Sequence, residues 1–199
     1  MIDVIDYGSG NLFSVLKALQ SLGEQPHVVK TPDEYRGGKI LIPGVGAFGD
    51  AMAQIRSAGL VEFINEQVLS GKPVFGICLG LQVLFASSEE SPGVAGLRLF
   101  DEQVVRFPSN EKVPHMGWNQ LELKKESKLL RGIHTGDFVY FAHSYCVPTS
   151  DEMYEAAVCH YSASFAAVIE RENLYGVQFH PEKSQRAGMQ ILKNFVELC

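Results

Sequence analysis

The sequence predicts an α/β fold. An open, mostly parallel sheet is flanked by helices on both faces, and additional antiparallel strands lie in the C-terminal half. In the first half of the chain, short apolar runs alternate with amphipathic segments of helical length, as in parallel strands joined by crossover helices. In the second half, apolar runs follow one another with short links, which favours a partly antiparallel arrangement.

The first half supplies the predicted parallel strands and the helices between them. Residues 12–22 and 60–69 carry apolar side chains at helical spacing and end at Gly23 and Gly71. Residues 31–34, Thr-Pro-Asp-Glu, combine a cap, a proline and a capping-box acid, which predicts the start of another helix. The predicted strands are 2–5, 27–29, 39–42 and 74–77, the last of which runs directly into residues 78–85.

The second half is predicted to be mainly strand until its last segment. Ser184 is expected to cap a final helix with Met189, Leu192, Phe195 and Val196 facing inward. The strands are expected around 104–105, 138–141, 156–158, 166–169 and 174–179.

Length and charge limit the classes of function. A chain of 199 residues can bury a core without disulfides or metals, and we expect one domain over residues 1–199. The net charge of −6, with no basic run, argues against binding to nucleic acid or to an anionic membrane. No apolar run is long enough to span a membrane, and the acids Asp3 and Asp6 do not suit a signal peptide. We therefore expect a cytoplasmic location.

The four cysteines give no sign of a metal site. Cys78, Cys146, Cys159 and Cys199 form no Cys-x-x-Cys pair, and no histidines flank them at metal-ligand spacing. The chain also lacks a phosphate-binding P-loop and a dinucleotide fingerprint, so no cofactor is expected. In a reducing compartment the thiols stay free, and at most one of them needs a chemical role.

Cys78 is the candidate nucleophile. Residues 76–80, Gly-Ile-Cys-Leu-Gly, follow a predicted strand and have the form Gly-x-nucleophile-x-Gly, which suits a strained strand-to-helix corner. We expect the sulfur to be exposed at the carboxyl edge of the sheet, where the following helix start favours the thiolate. The alternative is a structural cysteine buried between two packing glycines.

His180 and Glu182 are the candidate base and orienting acid. His180 closes the predicted strand 174–179, and Pro181 keeps the segment extended. Side chains two residues apart share a face, so Gln178, His180 and Glu182 should point together. A structural histidine at a strand end is the alternative.

Acyl transfer also needs donors for a developing oxyanion. One candidate is the backbone N–H of Leu79. The other is the loop that follows the predicted strand 39–42, at Gly44 and Val45. An ordinary glycine turn would give the same local pattern.

At these positions the chain resembles the class I glutamine amidotransferases, whose cysteine elbow and late His-x-Glu pair match Cys78, His180 and Glu182. Within that family it is similar to a narrower group, glutaminase subunits of histidine biosynthesis. Six segments carry the resemblance in the family's order: 6–11, 43–48, 76–82, 114–119, 140–145 and 176–184.

The resemblance implies that Cys78 attacks the side-chain amide of glutamine and that His180 protonates the departing ammonia, with Glu182 holding the imidazolium. It also implies a set of substrate-binding residues, among which Glu90 would otherwise pass for a solvated loop acid. These residues are Gly46, Gln82, Glu90, Ser144 and Tyr145.

The resemblance further implies a partner chain, a (β/α)8-barrel cyclase that receives ammonia and makes imidazole glycerol phosphate and aminoimidazole carboxamide ribotide. Trp118 is the only tryptophan and suits an interface, although a core tryptophan is the alternative. The candidate interface residues are Asn11, Met116, Trp118, Tyr140 and Lys183.

We hypothesise that the Gly44–Val45 peptide switches activity by rotating between an N–H and a carbonyl facing the oxyanion, so that Gly44→Ala should alter stimulation by the partner's ligand. Two other functions stay open. The chain could be another class I amidotransferase or a γ-glutamyl cysteine hydrolase that acts without a barrel partner. It could also be a non-catalytic regulatory binding module, which would need neither Cys78 nor His180.

Overall fold

Thirteen strands and five α-helices make up the part of the chain that the computed structural model describes, residues 1–8, 11–108, 111–150 and 153–199. The helices are α1 Leu12–Ser21, α2 Phe48–Ser57, α3 Leu60–Leu69, α4 Leu79–Gln82 and α5 Gln185–Leu198. The strands are β1 Ile2–Ile5, β2 His27–Val29, β3 Lys39–Gly44, β4 Val74–Cys78, β5 Phe85–Ser88, β6 Phe100–Arg106, β7 His115–Gln120, β8 Glu122–Leu123, β9 Phe138–His143, β10 Tyr145–Cys146, β11 Glu155–His160, β12 Ser164–Arg171 and β13 Leu174–Val177.

Eight of these strands form the central sheet, in the order β2-β1-β3-β4-β13-β12-β11-β8. The pairs from β2 to β13 are parallel, and the pairs from β13 to β8 are antiparallel. Two small sheets, β10-β6-β5 and β7-β9, stand apart from it. The predicted fold class is therefore confirmed.

Helices cover both faces of the central sheet. On one face, Leu19 of α1 and Phe195 of α5 pack in a core with Phe75 of β4. On the other face, α2 and α3 contribute Ile55 and Ile64 to a second core. All five residues of β4 are buried, as expected for a central strand that is covered on both sides. None of the helices in the described ranges is long and apolar enough to cross a membrane.

Two predicted helix starts differ from the structure. Residues Pro32–Glu34 form one 3-10 turn and no longer helix, because the backbone returns to an extended conformation at Tyr35 (φ −64°, ψ 135°). Ser184 precedes α5 as predicted, but its hydroxyl does not cap the helix. It donates to the carbonyl oxygen of His180 at 2.7 Å and accepts the N–H of Tyr140 at 2.9 Å. Tertiary partners thus replace the local cap.

Several elements were not predicted. Helix α2 is one of them, although its buried residues Phe48, Met52 and Ile55 recur at helical spacing. Strands β5, β7, β8 and β10 were also missed, because strands this short or this exposed carry little apolar signal. Strand β13 ends at Val177, two residues before the predicted end.

Gly80 lets α4 lie directly against β3. A Cβ at this position would come within 1.8 Å of the carbonyl oxygen of Ile42, a backbone atom that cannot move aside alone. At Gly23 nothing lies within 4 Å of an added Cβ, and only the positive φ of 86° opposes a side chain.

We therefore expect Gly80→Ala to lower the free energy of unfolding by about 3 kcal/mol, and Gly23→Ala by about 1 kcal/mol. Urea denaturation of both variants at neutral pH measures the difference. Equal losses would show that the approach of α4 to β3 is not as tight as described.

Candidate active site

Cys78 occupies a strained corner between β4 and α4. Its backbone has φ 54° and ψ −107°, a conformation that side-chain-bearing residues rarely adopt. The corner leaves no room for side chains on either flank. A Cβ at Gly76 would lie 2.4 Å from the carbonyl oxygen of Gly80, and Gly80 itself packs against Ile42. Both flanking glycines are therefore required by packing at the corner.

The sulfur lies in a pocket and not on the surface, so the predicted exposure is wrong. Cys78 is only 5% exposed, and it lines the pocket together with residues of β7, of β9 and of the segment after β9. The pocket has a volume of about 200 Å³. Its lining residues are Val45, Gly46, Cys78, Leu79, Gln82, Glu90, Pro114, Met116, Ala142, His143, Ser144 and Tyr145.

The structure brings His180 and Glu182 to this thiol from the far end of the chain. Strand β13 lies beside β4, with Val177 opposite Ile77, so the segment that follows β13 arrives next to Cys78. His180 interacts with Cys78, and this interaction raises the pKa of its ring. Its Nδ1 lies 3.0 Å from Glu182 Oε1, and both side chains are almost completely buried. The prediction that Pro181 keeps the segment extended is wrong beyond His180, because residues 181–183 form a 3-10 turn, and this turn brings the carboxylate back against the ring.

The pKa of His180 is set by burial and by its partners Cys78 and Glu182. Burial alone would lower it, but the interactions with Cys78 and Glu182 raise it from 6.5 to about 10. The imidazolium is therefore favoured at neutral pH and can supply a proton for a leaving group.

The predicted oxyanion loop lies next to the nucleophile. Gly44 ends β3 directly opposite Cys78, and Val45 and Gly46 follow in the wall of the pocket. A Cβ at Gly44 would come within 2.2 Å of the hydroxyl oxygen of Tyr7. A Gly44→Ala exchange would therefore disturb packing as well as the peptide, and by itself it does not test the hypothesised switch.

Comparisons with known proteins agree with this geometry. The family described as glutamine amidotransferase class-I matches residues 3–199. This chain belongs to that family. The amidotransferase is 50% identical over 198 residues to "Imidazole glycerol phosphate synthase subunit HisH" of Moorella thermoacetica, covering 99% of this chain and 94% of the relative. It is 47% identical to the protein of the same name from Methanothermobacter thermautotrophicus, covering 100% and 98%.

Solved structures share the fold at lower identity. "Crystal structure of glutamine amidotransferase" matches 99% of this chain and 97% of its own with a TM-score of 0.78 at 18% identity. "Structure of PurLQS from Thermotoga maritima" matches 98% and 96% with a TM-score of 0.77 at 19% identity. At these identities the likeness concerns the fold alone.

The five predicted substrate residues of the amidotransferase all line the pocket, and two have structural contacts that the sequence did not suggest. Glu90 Oε2 accepts the N–H of Phe48 at 2.7 Å, at the start of α2, so this acid is held in place and is not a freely solvated loop residue. Gln82 Nε2 donates to the carbonyl oxygen of Tyr145 at 2.9 Å. Their roles toward glutamine stay predictions. In the described residues, no group of three or more His, Cys, Asp or Glu side chains is placed to hold a metal ion.

The predicted interface residues lie on one side of the site. Trp118 is 45% exposed and Met116 65% exposed, so the alternative of a core tryptophan is wrong. The Trp118 ring lies edge-on to Tyr140, with centroids 6.0 Å apart, and Lys183 Nζ lies 5.9 Å from the Tyr140 centroid. Asn11 differs from these, because its Nδ2 donates to Glu182 Oε1 at 2.5 Å, the same carboxylate oxygen that contacts His180.

The sequence predicts no role for three residues of this region, Gln178, His115 and His143. It predicts only that Gln178 shares a face with His180. The Nε2 atom of Gln178 lies 3.7 Å from Cys78 Sγ. His115 and His143 face each other across β7 and β9, and no motif marks two histidines that meet only when those strands pair. Burial lowers the pKa of His115 to about 4 and that of His143 to about 3, so both are neutral.

These two histidines predict acid sensitivity. Because their folded pKa values lie below 6.5, the unfolded chain binds more protons between about pH 3 and 6.5, and the stability they contribute is lost as pH falls through that range. We expect His143→Asn to make the fall in unfolding free energy shallower by about 1.4 kcal/mol per pH unit between pH 6 and pH 4.5. Urea denaturation over that range measures the slope. His134→Asn, at an exposed histidine, is the control, and equal slopes in both variants would contradict the assignment.

Proposed function

We propose that this amidotransferase is the glutaminase subunit of imidazole glycerol phosphate synthase, acting as one domain over residues 1–199 in the cytoplasm. The observation that carries the proposal is that His180 interacts both with Cys78, which lines the pocket, and with Glu182. Relatives that are 46–50% identical over almost their whole length carry the name of that subunit.

In the proposed acylation step, the Cys78 thiolate attacks the side-chain amide carbon of glutamine and forms a carbon–sulfur bond. The backbone N–H of Leu79 and the Gly44–Val45 loop are the candidate donors to the oxyanion. As the carbon–nitrogen bond breaks, His180 gives its proton to the nitrogen, which leaves as ammonia. Glu182 stabilises the imidazolium and fixes the orientation of the ring.

In the proposed deacylation step, the neutral His180 takes a proton from water. The resulting nucleophile attacks the thioester carbon, a carbon–oxygen bond forms, and the carbon–sulfur bond breaks. Glutamate is released, and the thiolate and the imidazolium are restored. Besides glutamine, water is the one co-reactant that balances the two steps.

The ammonia needs an acceptor on another chain, and the relatives' shared name describes a subunit of a larger synthase. We infer that the acceptor is a (β/α)8-barrel cyclase, docked on the exposed face of the β7-β9 ribbon. Exposed aromatic and methionine side chains are typical of protein interfaces. Met116 and Trp118 offer that chemistry within reach of the pocket, since Met116 also lines it. Lys183 lies beside them, against the Tyr140 ring.

We expect Cys78→Ala to abolish glutamine-dependent product formation by the reconstituted pair, with a loss of at least about a thousandfold, because no other group can form the thioester. Product formation from added ammonium should be unchanged, since the cyclase does not need this thiol. Both are measured as synthase turnover with either nitrogen source.

The same assay separates the alternatives. Glutamate release by Cys78→Ala would refute the nucleophile assignment. Rapid hydrolysis of glutamine by the wild-type chain without any partner would favour a stand-alone amidotransferase or γ-glutamyl hydrolase. A wild-type chain that hydrolyses no glutamine with or without the cyclase would leave a regulatory binding module.

The docking face gives a separate prediction. Trp118→Ala should weaken binding to the cyclase by about tenfold or more, because large aromatic side chains dominate such interfaces. Leu69→Ala is the matched control: Leu69 is 88% exposed, at the end of α3, away from the β7-β9 ribbon. Titration calorimetry measures both, and equal effects would contradict docking on this face.

A further inference from the structure

Two buried glutamine amides connect the nucleophile to the backbone of Tyr145. Gln178 Nε2 lies 3.7 Å from Cys78 Sγ. Gln82 Nε2 lies 3.1 Å from Gln178 Oε1 and 2.9 Å from the carbonyl oxygen of Tyr145. Gln178 is completely buried and Gln82 is 4% exposed, so neither amide can exchange these partners for water at low cost.

The direction of this chain follows from its one fixed end. A backbone carbonyl can only accept, so Gln82 must present its NH₂ group to Tyr145. The second hydrogen of that NH₂ group then requires the oxygen of Gln178 as its acceptor. The amide of Gln178 is thereby turned so that its own NH₂ group faces Cys78 Sγ. A flipped Gln178 would place its oxygen against the thiolate and its NH₂ against another NH₂.

A pair of neutral histidines supports the same carbonyl from the other side. His143 Nδ1 lies 2.9 Å from the Tyr145 oxygen, so this nitrogen carries the proton and Nε2 is the acceptor. His115 Nδ1 lies 3.2 Å from His143 Nε2 and donates to it. Asn119 Nδ2 lies 3.4 Å from His115 Nε2 and supplies the last donor. Every ring nitrogen of the pair thus has a defined role.

We propose that Gln178 donates a hydrogen bond to the sulfur of Cys78 and stabilises the thiolate, and that Gln82, His143 and His115 are positioning residues that fix the direction of this bond. The proposal deepens the proposed function, because it concerns the same nucleophile. Donors to a charged group favour the charged form. Gln178 is therefore a second donor to the sulfur beside His180, from the same strand end.

The test reads the thiolate directly, without glutamine or a partner. Alkylation by iodoacetamide is followed as a function of pH, and the midpoint of its acidic limb reports formation of the Cys78–His180 ion pair. The titratable groups around the sulfur are His180 with Glu182 behind it, Glu90 in the pocket wall and His143. Burial raises the pKa of Cys146 and of Cys159 to about 12, and Cys78→Ala measures the background from the remaining thiols.

Gln178→Met keeps the length of the side chain and removes the donor. We expect its midpoint to rise by about one pH unit, as for the loss of one hydrogen bond to a charged group. Gln178→Glu places acceptor oxygens against the sulfur, and its midpoint should rise further. A folded Gln178→Met variant with the wild-type midpoint would overturn the proposal.

Two variants of His143 test the remote part of the chain and are matched in chemistry. The amide of Asn reaches the position of Nδ1, so His143→Asn keeps the donor to Tyr145. The amide of Gln reaches the position of Nε2, so His143→Gln loses that donor. Neither titrates, which removes the charge of His143 from the comparison.

We expect the wild-type midpoint for His143→Asn and a rise of about half a pH unit for His143→Gln, because the loss of one donor to Tyr145 weakens the chain without removing Gln178. Equal midpoints in His143→Asn and His143→Gln would show that His143 does not position Gln178. If Gln178→Met does not fold, this comparison tests the proposal in its place, and equal midpoints then overturn it. Because the readout is thiol reactivity, a failure here leaves glutamine hydrolysis by the wild-type chain, and with it the proposed function, intact.

Discussion

The backbone strain at Cys78 is the constraint on which the rest of the site depends. A residue held at φ 54° with glycines on both sides is stable only if the elements around it fix the corner from several directions. Here α4 packs directly on β3 through Gly80, and β13 fixes the other flank of β4. The same packing that permits the strained turn brings Gly44 and the segment after β13 to the sulfur. The packing that stabilises the fold around Cys78 therefore also assembles the site.

The charge of each buried histidine near the pocket is set by the groups that it contacts, and not by its being a histidine. His180 and His143 are both buried near the pocket, yet the pKa of one is raised to about 10 and that of the other is lowered to about 3. The difference is the presence of anionic partners. His180 contacts a thiol and a carboxylate, whereas His143 contacts a backbone carbonyl and a neutral ring. His180 is suited to carry a proton, and His143 is suited to donate a hydrogen bond in one fixed direction.

The carboxylate of Glu182 is also hydrogen-bonded to the residue that precedes α1. Asn11, whose φ is 74°, starts that helix and donates to the same oxygen of Glu182 that contacts His180. Trp118 and Lys183 lie on the exposed side of the site and both contact the ring of Tyr140. The carbonyl oxygen of Tyr140 accepts the N–H of His180. Tyr140, whose ring contacts Trp118 and Lys183, is thus hydrogen-bonded to the backbone of His180.

The sequence by itself determined the fold class and the corner at Cys78, and it singled out His180 and Glu182 as candidates, because glycine punctuation and apolar runs act locally. Only the tertiary structure decided that the sulfur is buried in a pocket, that Ser184 bonds to the backbone of another strand and that Gln178 faces the thiol. The direction of an amide and the charge of a buried ring depend on which distant groups they contact. That information lies in strand order and packing, which no short stretch of sequence contains.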